Sequence, residues 1–383
     1  MLKKKALLIA AGGRALPDVL ALFHVQPHLV AYLTSEEGWY GKEGFLSAAK
    51  SLDVCKQFHE ENNIDAYSIA KGKEACQKIL DLYPIEAWDW TFAIGSAPKV
   101  MGIAAYEFAK KRQITCLFID SLHEKLINLE QDSEEETNNL FHLTVADYMK
   151  IYRRTYEKRR KKSDDYHNIV QQWGQIAHEI AVSPDGSLFT YTMRDVPVNK
   201  PIQLPTSLHA SDLLNVLETH YHLISIQQTA SGENVCSFTS PEAASFLNSG
   251  DWLEVYAWDA VQRRNFADDC RWGYTIADGK AKNELDLAFT YKAQLIIGEC
   301  KTNQEPFKDE KECLDVLDSI AHLLGGMFVT KVFITNQPPT KRGYPYFKEQ
   351  ADKRHIVVVT SEDIARLGEI LEREAKKPTY SRI

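Results

Sequence analysis

The sequence predicts an α/β protein of two domains, and three observations carry that prediction. Its 383 residues exceed the usual size of a single hydrophobic core. The first 120 residues alternate short β-rich runs with helical patterns, and the region after Ser240 reads as helix, hairpin, helix, strand. At 44% hydrophobic and 26% charged, the composition is that of an ordinary globular chain.

In the first part the runs KALLIAA, LVAYLTS, AYSIA, TFAIG and ITCLFID are separated by segments such as EGFLSAAKSLDVCKQFHEENN. Strands that are apolar throughout, rather than two-faced, belong to a parallel sheet covered on both sides by helices. The topology is Rossmann-like. No G-x-G-x-x-G follows the first strand and no G-x-x-x-x-G-K-[ST] occurs, so neither a dinucleotide nor a P-loop triphosphate is the expected ligand. The opening MLKKKALLIAAGG runs into Gly12 and Gly13 and reads as a first strand rather than a signal peptide.

Next, Lys125 to about Asp147 reads as a weak hairpin, KLINLE and FHLTVADY, joined by the acidic loop QDSEEETNN. In KIYRRTYEKRRKK, Lys150 to Lys162, eight of thirteen residues are basic. That segment is either a solvated helix between domains or one wall of a nucleic-acid channel. The expected division is 1–148, a basic helical linker 149–170, and 171–383. In the last part PEAASFLNSGDWLEVYAWDAVQRR reads as helix, turn, helix. Then follow strands RWGYTIADG, NELDLAFTY and QLIIGECKT, a helix at EKECLDVLDSIAHLLGG, strands KVFITN and HIVVVT, and the closing helix SEDIARLGEILEREAKK. Tyr256, Trp258, Trp272 and Tyr274 either stack on bases or pack the core, and His220 and His222 alternate along a strand toward solvent.

No apolar run approaches the roughly 20 residues a membrane helix needs, so a soluble, cytoplasmic protein is expected. Seven scattered cysteines with no C-x-x-C spacing suggest neither a disulfide framework nor a zinc site. A net charge of −8 argues against coating nucleic acid by bulk charge.

Two places carry chemistry. A two-residue turn at Lys292 and Ala293 sets Asp286 opposite Glu299 and Glu284 opposite Lys301, and strand alternation puts all four on one face with Cys300 on the other. Carboxylates about 5 Å apart repel by roughly 3 kcal/mol at an effective dielectric of about 20. One acid is then protonated, or the lysine compensates, or a divalent cation such as Mg²⁺ or Mn²⁺ sits between them. The second place is a pair of strand ends, AAGGRALPDVLALF and AIGSAPKVMGIAAYEF, which pass through glycine and put Pro17 or Pro98 at a helix start. Helix N-termini at the carboxyl edge of an open sheet attract phosphate. Gly12, Gly13, Arg14, Thr34, Ser35, Gly95, Ser96 and Lys99 are the candidate ligand contacts.

The order Trp252-Leu253-Glu254, ELDL, GECKT resembles the PD-(D/E)xK nuclease superfamily, whose signature maps to Asp286, Glu299 and Lys301, with Glu284 competing for the first role. The resemblance implies Glu254 as a further acid, and Asp286, Glu299, Glu254 and Cys300 as metal contacts for Mn²⁺ or Mg²⁺. With GGRALP, YLTSEE and GSAPKVMGIAAYEFA, nearly the whole chain resembles the CRISPR ancillary nucleases that join a CARF sensor to a restriction-endonuclease-like PD-(D/E)xK effector. That likeness implies a homodimer switched on by a cyclic oligoadenylate, usually cyclic tetra-adenylate, cutting DNA and single-stranded RNA. Where that family often has Thr-Gly-Gly-Thr-Lys, this chain has Gly95-Ser96-Ala97-Pro98-Lys99. The alternative is a non-catalytic, nucleotide-responsive regulator that binds DNA through Lys150 to Lys162.

Overall fold

The computed structural model describes residues 3–380 apart from 36–38, 52–54, 136, 138–139, 153–154, 158–166, 195, 199, 249, 279–280, 303–306 and 308–309. The chain divides into two compact units, Met1–Tyr156 with Lys292–Gln294, and Glu157–Tyr291 with Leu295–Ile383.

The first unit runs β1 (Lys4–Ala11), α1 (Leu16–Val25), β2 (Leu29–Thr34), α2 (Trp39–Ser51), β3 (Gln57–Glu61), α3 (Ile69–Leu82), β4 (Trp88–Ala93), α4 (Lys99–Lys111), β5 (Thr115–Asp120), β6 (Lys125–Asn128), β7 (Ser133–Glu134) and α5 (Val145–Ile151). Its sheet has the order β3-β2-β1-β4-β5-β6-β7. The first five strands are parallel, and β6 and β7 add an antiparallel ribbon. Ala6 to Ala11 on β1 and Leu29 to Leu33 on β2 are buried on both faces, which is why these strands read as unbroken apolar runs. Strand order reverses between β1 and β4, so their following loops flank the crevice where open sheets of this kind bind ligands.

Two expected strands are corrected. AYSIA is a helix start, because the Ser68 side chain caps α3 by accepting from the Lys71 N–H at 3.2 Å. The third strand is instead QFHEE, an edge strand whose half-exposed, polar pattern hides it from an apolar search. FHLTVADY likewise becomes α5, because Thr144 caps it through the Asp147 N–H at 3.0 Å; the ribbon partner of KLIN is the short β7. Of the basic segment, Arg153, Arg154 and residues 158–162 lie outside the described residues.

The division falls within β8 (Thr155–Glu157), and the second unit continues from Glu157 with α6 (His167–Val182), α7 (Gly186–Met193), β9 (Ile202–Gln203), α8 (Asp212–Asn215), β10 (Ile224–Gln228) and β11 (Asn234–Phe238). It continues with α9 (Pro241–Asn248), α10 (Asp251–Arg264), β12 (Asp269–Asp278), β13 (Ala281–Tyr291), β14 (Gln294–Lys301), α11 (Glu310–Leu323), β15 (Val329–Thr335), α12 (Tyr344–Lys353), β16 (Ile356–Val359) and α13 (Leu367–Lys376). β9, β10 and β11 form a small sheet of their own. The main sheet has the order β16-β15-β14-β13-β12-β8, antiparallel through β12 and β13 and parallel from β14 to β16. The helix, hairpin, helix, strand order expected after Ser240 is present. His220 and His222 are not on a strand: Val216–His220 is a π-helical turn and His222 has φ 54°, ahead of β10.

On one face of the sheet Trp272, Leu287, Phe289, Ile296 and Cys300 pack with Trp252, Leu253 and Tyr256 of α10. On the other, Phe333 meets Phe347 of α12 with ring centroids 4.8 Å apart. Tyr256, Trp272 and Tyr274 are buried, and Tyr256 donates its hydroxyl to the Ile364 carbonyl at 2.7 Å. These aromatics are core. The seven cysteines are free thiols.

Candidate functional site

β13 and β14 are joined at Lys292 (φ 47°) and Ala293 (φ 61°), so two non-glycine residues adopt the left-handed pair of a tight hairpin turn. A Cβ placed on Gly298 would lie 3.2 Å from the Leu287 Cβ. That approach agrees with the register that faces Asp286 with Glu299. On the outer side of β13 the ladder passes from Trp272↔Leu287 to Tyr274↔Leu285 with no pair at Gly273 and Asp286, and Gly273 has φ 55°. The register is unchanged on either side, so the interruption is confined to Gly273 and its opposite residue, the acid.

Asp286, Glu299 and Lys301 are brought together, each half-buried. Lys301 Nζ bonds Glu299 Oε1. Asp286 Oδ2 accepts from the Cys300 N–H at 2.7 Å. Burial, then the Glu299 charge, push the Asp286 carboxyl up to about 7, against the opposing pull of Lys301 and Cys300; Glu284 adds a smaller push. For Lys301, burial works downward, but the charges of Glu299 and Asp286 outweigh it and raise the amine. Lys301 is therefore an ammonium. Glu284 acts on the site as a neighbouring charge, whereas Asp286 is bonded into it.

Cys300 places its sulfur 4.0 Å from the Leu253 carbonyl, among the core residues under α10. Burial, with Asp286, Glu254 and Glu299 nearby, holds the thiol well above its ordinary range. A thiol so protonated is a poor metal ligand. Glu254, in the first turn of α10, belongs to the same electrostatic neighbourhood through that thiol. The fit to a hard cation rests on the acid pair: two oxygen donors whose mutual repulsion already disfavours ionisation suit Mg²⁺ or Mn²⁺. Among the described residues no three His, Cys, Asp or Glu side chains close on one point.

In the first unit, α1 and α4 begin without a side-chain cap, unlike α3 and α5, with Pro17 in the first turn of α1 and Pro98 as the cap residue of α4. The eight predicted contacts sort into two groups. Gly13, Arg14 and Lys99 are exposed, and the Ser35 hydroxyl, on a residue 5% exposed, is buried without a hydrogen-bond partner. Gly12, Ser96, Gly95 and Thr34 instead frame the loops. Gly12 N–H donates to Ser96 Oγ at 3.1 Å, and a Cβ on Gly12 would lie 1.6 Å from the Ser96 carbonyl oxygen. One on Gly95 would meet the Ile119 backbone at 2.9 Å. Thr34 Oγ1 donates to Asn62 Oδ1 at 2.9 Å. Asp18 was not among the expected contacts, yet Ser96 Oγ donates to it at 2.6 Å. An acid directly after Leu16-Pro17 in an otherwise apolar helix was the available signal. Asp120 caps its strand, accepting from the Leu122 and His123 N–H groups at 3.0 and 3.1 Å.

Residues 241–377 match the family model of the Card1-like endonuclease domain. No curated protein matches the chain by sequence. Among solved structures, protein VC1899 from Vibrio cholerae superposes with a TM-score of 0.76 at 18% identity, covering 97% of this chain and 98% of that one. Can2 from Sulfobacillus thermosulfidooxidans, solved in complex with cyclic tetra-adenylate, gives 0.70 at 18% identity over 96% and 97%. A type III CRISPR defence DNA nuclease activated by cyclic oligoadenylate gives 0.54 at 14% identity, over 90% of this chain and 48% of that one. At such identities the structural likeness establishes the fold. Asp286, Glu299 and Lys301 all fall inside residues 241–377, the stretch of the second unit that is similar to the Card1-like endonuclease domain.

Proposed function

We propose that the protein is an endonuclease of type III CRISPR antiviral defence, dependent on Mn²⁺ or Mg²⁺ and switched on by cyclic tetra-adenylate, acting on DNA and single-stranded RNA as a homodimer. The observation that carries this reading is the convergence of Asp286, Glu299 and Lys301 on one patch within the matched endonuclease domain. The ligand complex of the Can2 neighbour and the uncapped helix starts of the first unit support the activator half.

Asp286 and Glu299 would hold the metal, with Glu254 as a further acid. A bound divalent ion supplies polarisation of the phosphoryl oxygen and a lowered pKa for a coordinated water. Lys301, kept cationic by both acids, is not a base. Its ammonium would balance the negative charge that builds on the phosphoryl oxygens as the phosphodiester is attacked. The Cys300 N–H fixes Asp286 Oδ2, which sets the carboxylate's orientation before substrate arrives. In the first unit, Gly13, Arg14, Ser35 and Lys99 meet the activator's phosphates and hydroxyls. A cyclic, even-membered ligand presents the same contacts to both subunits of an isologous dimer, and it activates only by binding one dimer state better than the other.

The test is cleavage of a plasmid and of single-stranded RNA with Mn²⁺, across cyclic oligoadenylates of different ring size. Cutting only with cyclic tetra-adenylate is expected, and Lys301→Ala should lower it about 10²–10³-fold. Undiminished cutting by that variant, or cutting independent of any nucleotide, would overturn the reading.

A further inference from the structure

A buried acid joins the two loops at the crevice. Asp18, in the first turn of α1, is 1% exposed. Its Oδ1 accepts from Ser96 Oγ at 2.6 Å and its Oδ2 is hydrogen-bonded to the Tyr32 hydroxyl at 3.2 Å, while Ser96 Oγ accepts from the Gly12 N–H at 3.1 Å. The loop after β1, the strand β2 and the loop after β4 thus meet at one carboxyl group. Serine has a single hydroxyl proton. Because Asp18 takes it, the lone pairs of Ser96 turn toward Gly12, and the bridge between the loops has one direction. Gly12 has no Cβ and can approach the Ser96 backbone closely enough for that bond to form.

We propose that Asp18 is a positioning residue of the activator site: by orienting the Ser96 hydroxyl it fixes the spacing of the two loops, and so governs affinity for cyclic oligoadenylate without contacting it. This rests on the activator reading above. It also reassigns Ser96 and Gly12 from ligand contacts to the frame that holds them, leaving Gly13, Arg14, Ser35 and Lys99 to face the ligand.

The cluster is nearly free of other charge. Tyr32 is hydrogen-bonded to Asp18, and the charge of Glu60 on β3 also acts on Tyr32. Burial pushes Asp18 up to about 8, against the hydrogen bonds from Ser96 and Tyr32. A carboxyl raised in the folded state lends stability that is complete below its unfolded pKa of about 4 and is lost as pH climbs to about 8. Burial favours the neutral acid, whose proton on Oδ2 is then accepted by the Tyr32 oxygen, and asparagine is the isostere of that form, with its carbonyl toward Ser96 and its amide toward Tyr32.

Three variants test the clamp: Asp18→Ala, Asp18→Asn and Ser96→Ala. Cyclic tetra-adenylate binding is read by calorimetry, amide exchange of residues 10–14 and 94–99 is read without nucleotide, and melting is followed from pH 4 to 9. Asp18→Ala and Ser96→Ala should weaken binding about tenfold or more, the loss of one oriented hydrogen bond, and should speed exchange in both loops. Asp18→Asn should keep binding within about threefold at pH 7 and flatten the fall in melting temperature between pH 4 and 8. Unchanged affinity and exchange in Ser96→Ala would overturn the proposal, as would an Asp18→Asn protein with the same pH slope as the native one. If the native protein bound no cyclic oligoadenylate while Asp18→Ala still loosened both loops, the activator reading would fall and the clamp would stand.

Discussion

Two carboxylates keep Lys301 charged in a half-buried position where an amine alone would tend to lose its proton, and the proposed nuclease chemistry rests on that charge. That makes its role electrostatic and ties it to Glu299. Replacing Glu299 by glutamine removes a charge that both binds Lys301 and repels Asp286. The two effects oppose in stability but not in catalysis. Glu299→Gln should therefore melt within a few degrees of the native protein, an offset of about 1 kcal/mol or less. Plasmid cleavage should meanwhile fall at least about 100-fold. Equal losses of activity and of folded protein would show that the pair is structural. Cys300 shows the limit of reading residues by type: its alternation away from the acids is visible in the chain, but the Leu253 carbonyl and the core beneath it come from α10.

At the scale of elements, the site depends on how β12, β13 and β14 meet. Gly273 holds φ 55° where the ladder skips Asp286. An alanine there would cost about 1–2 kcal/mol for its left-handed backbone. Relaxation toward regular pairing would also swing Asp286, so Gly273→Ala is expected to lose cleavage out of proportion to its drop in denaturant midpoint. In the first unit Gly12→Ala sets a Cβ against the Ser96 carbonyl. It should cost about 3 kcal/mol or more and abolish activator binding, as read by urea melts and calorimetry. The elements legible from sequence were those with a strong local period or an unbroken apolar run: β1, β2, β4, β5, α10, β13 and β14. Those misread were decided by something other than hydrophobicity. A polar edge strand carried β3, and serine or threonine caps turned AYSIA and FHLTVADY into helix starts.

For the whole molecule, an activator that binds the folded first unit stabilises it by mass action. At about 100 times its Kd the gain is about 2.7 kcal/mol, which for a unit of this size corresponds to about 5–10 °C in melting temperature. Differential scanning with cyclic tetra-adenylate against linear tetra-adenylate checks this, and only the cyclic form should shift the transition. A chelator should abolish cleavage while leaving that shift intact, because the acids that would hold a metal belong to the second unit. A shift that vanished with the metal would place the two ligands in one site and contradict the division of labour. Among the described residues no helix is long and apolar enough to cross a membrane.

The chain alone determined the α/β class, the parallel sheet of the first unit and the grouping of Asp286, Glu299 and Lys301, because strand alternation and a short turn are local properties that survive without knowledge of neighbours. Which polar groups are already spent was decided only by the tertiary structure. Ser96, Asp18 and Gly12 lie on separate elements, and a hydrogen bond between loops far apart in the chain leaves no trace in composition or period. Packing brings them within bonding distance, and it leaves Gly13, Arg14 and Lys99 exposed and the Ser35 hydroxyl buried without a hydrogen-bond partner.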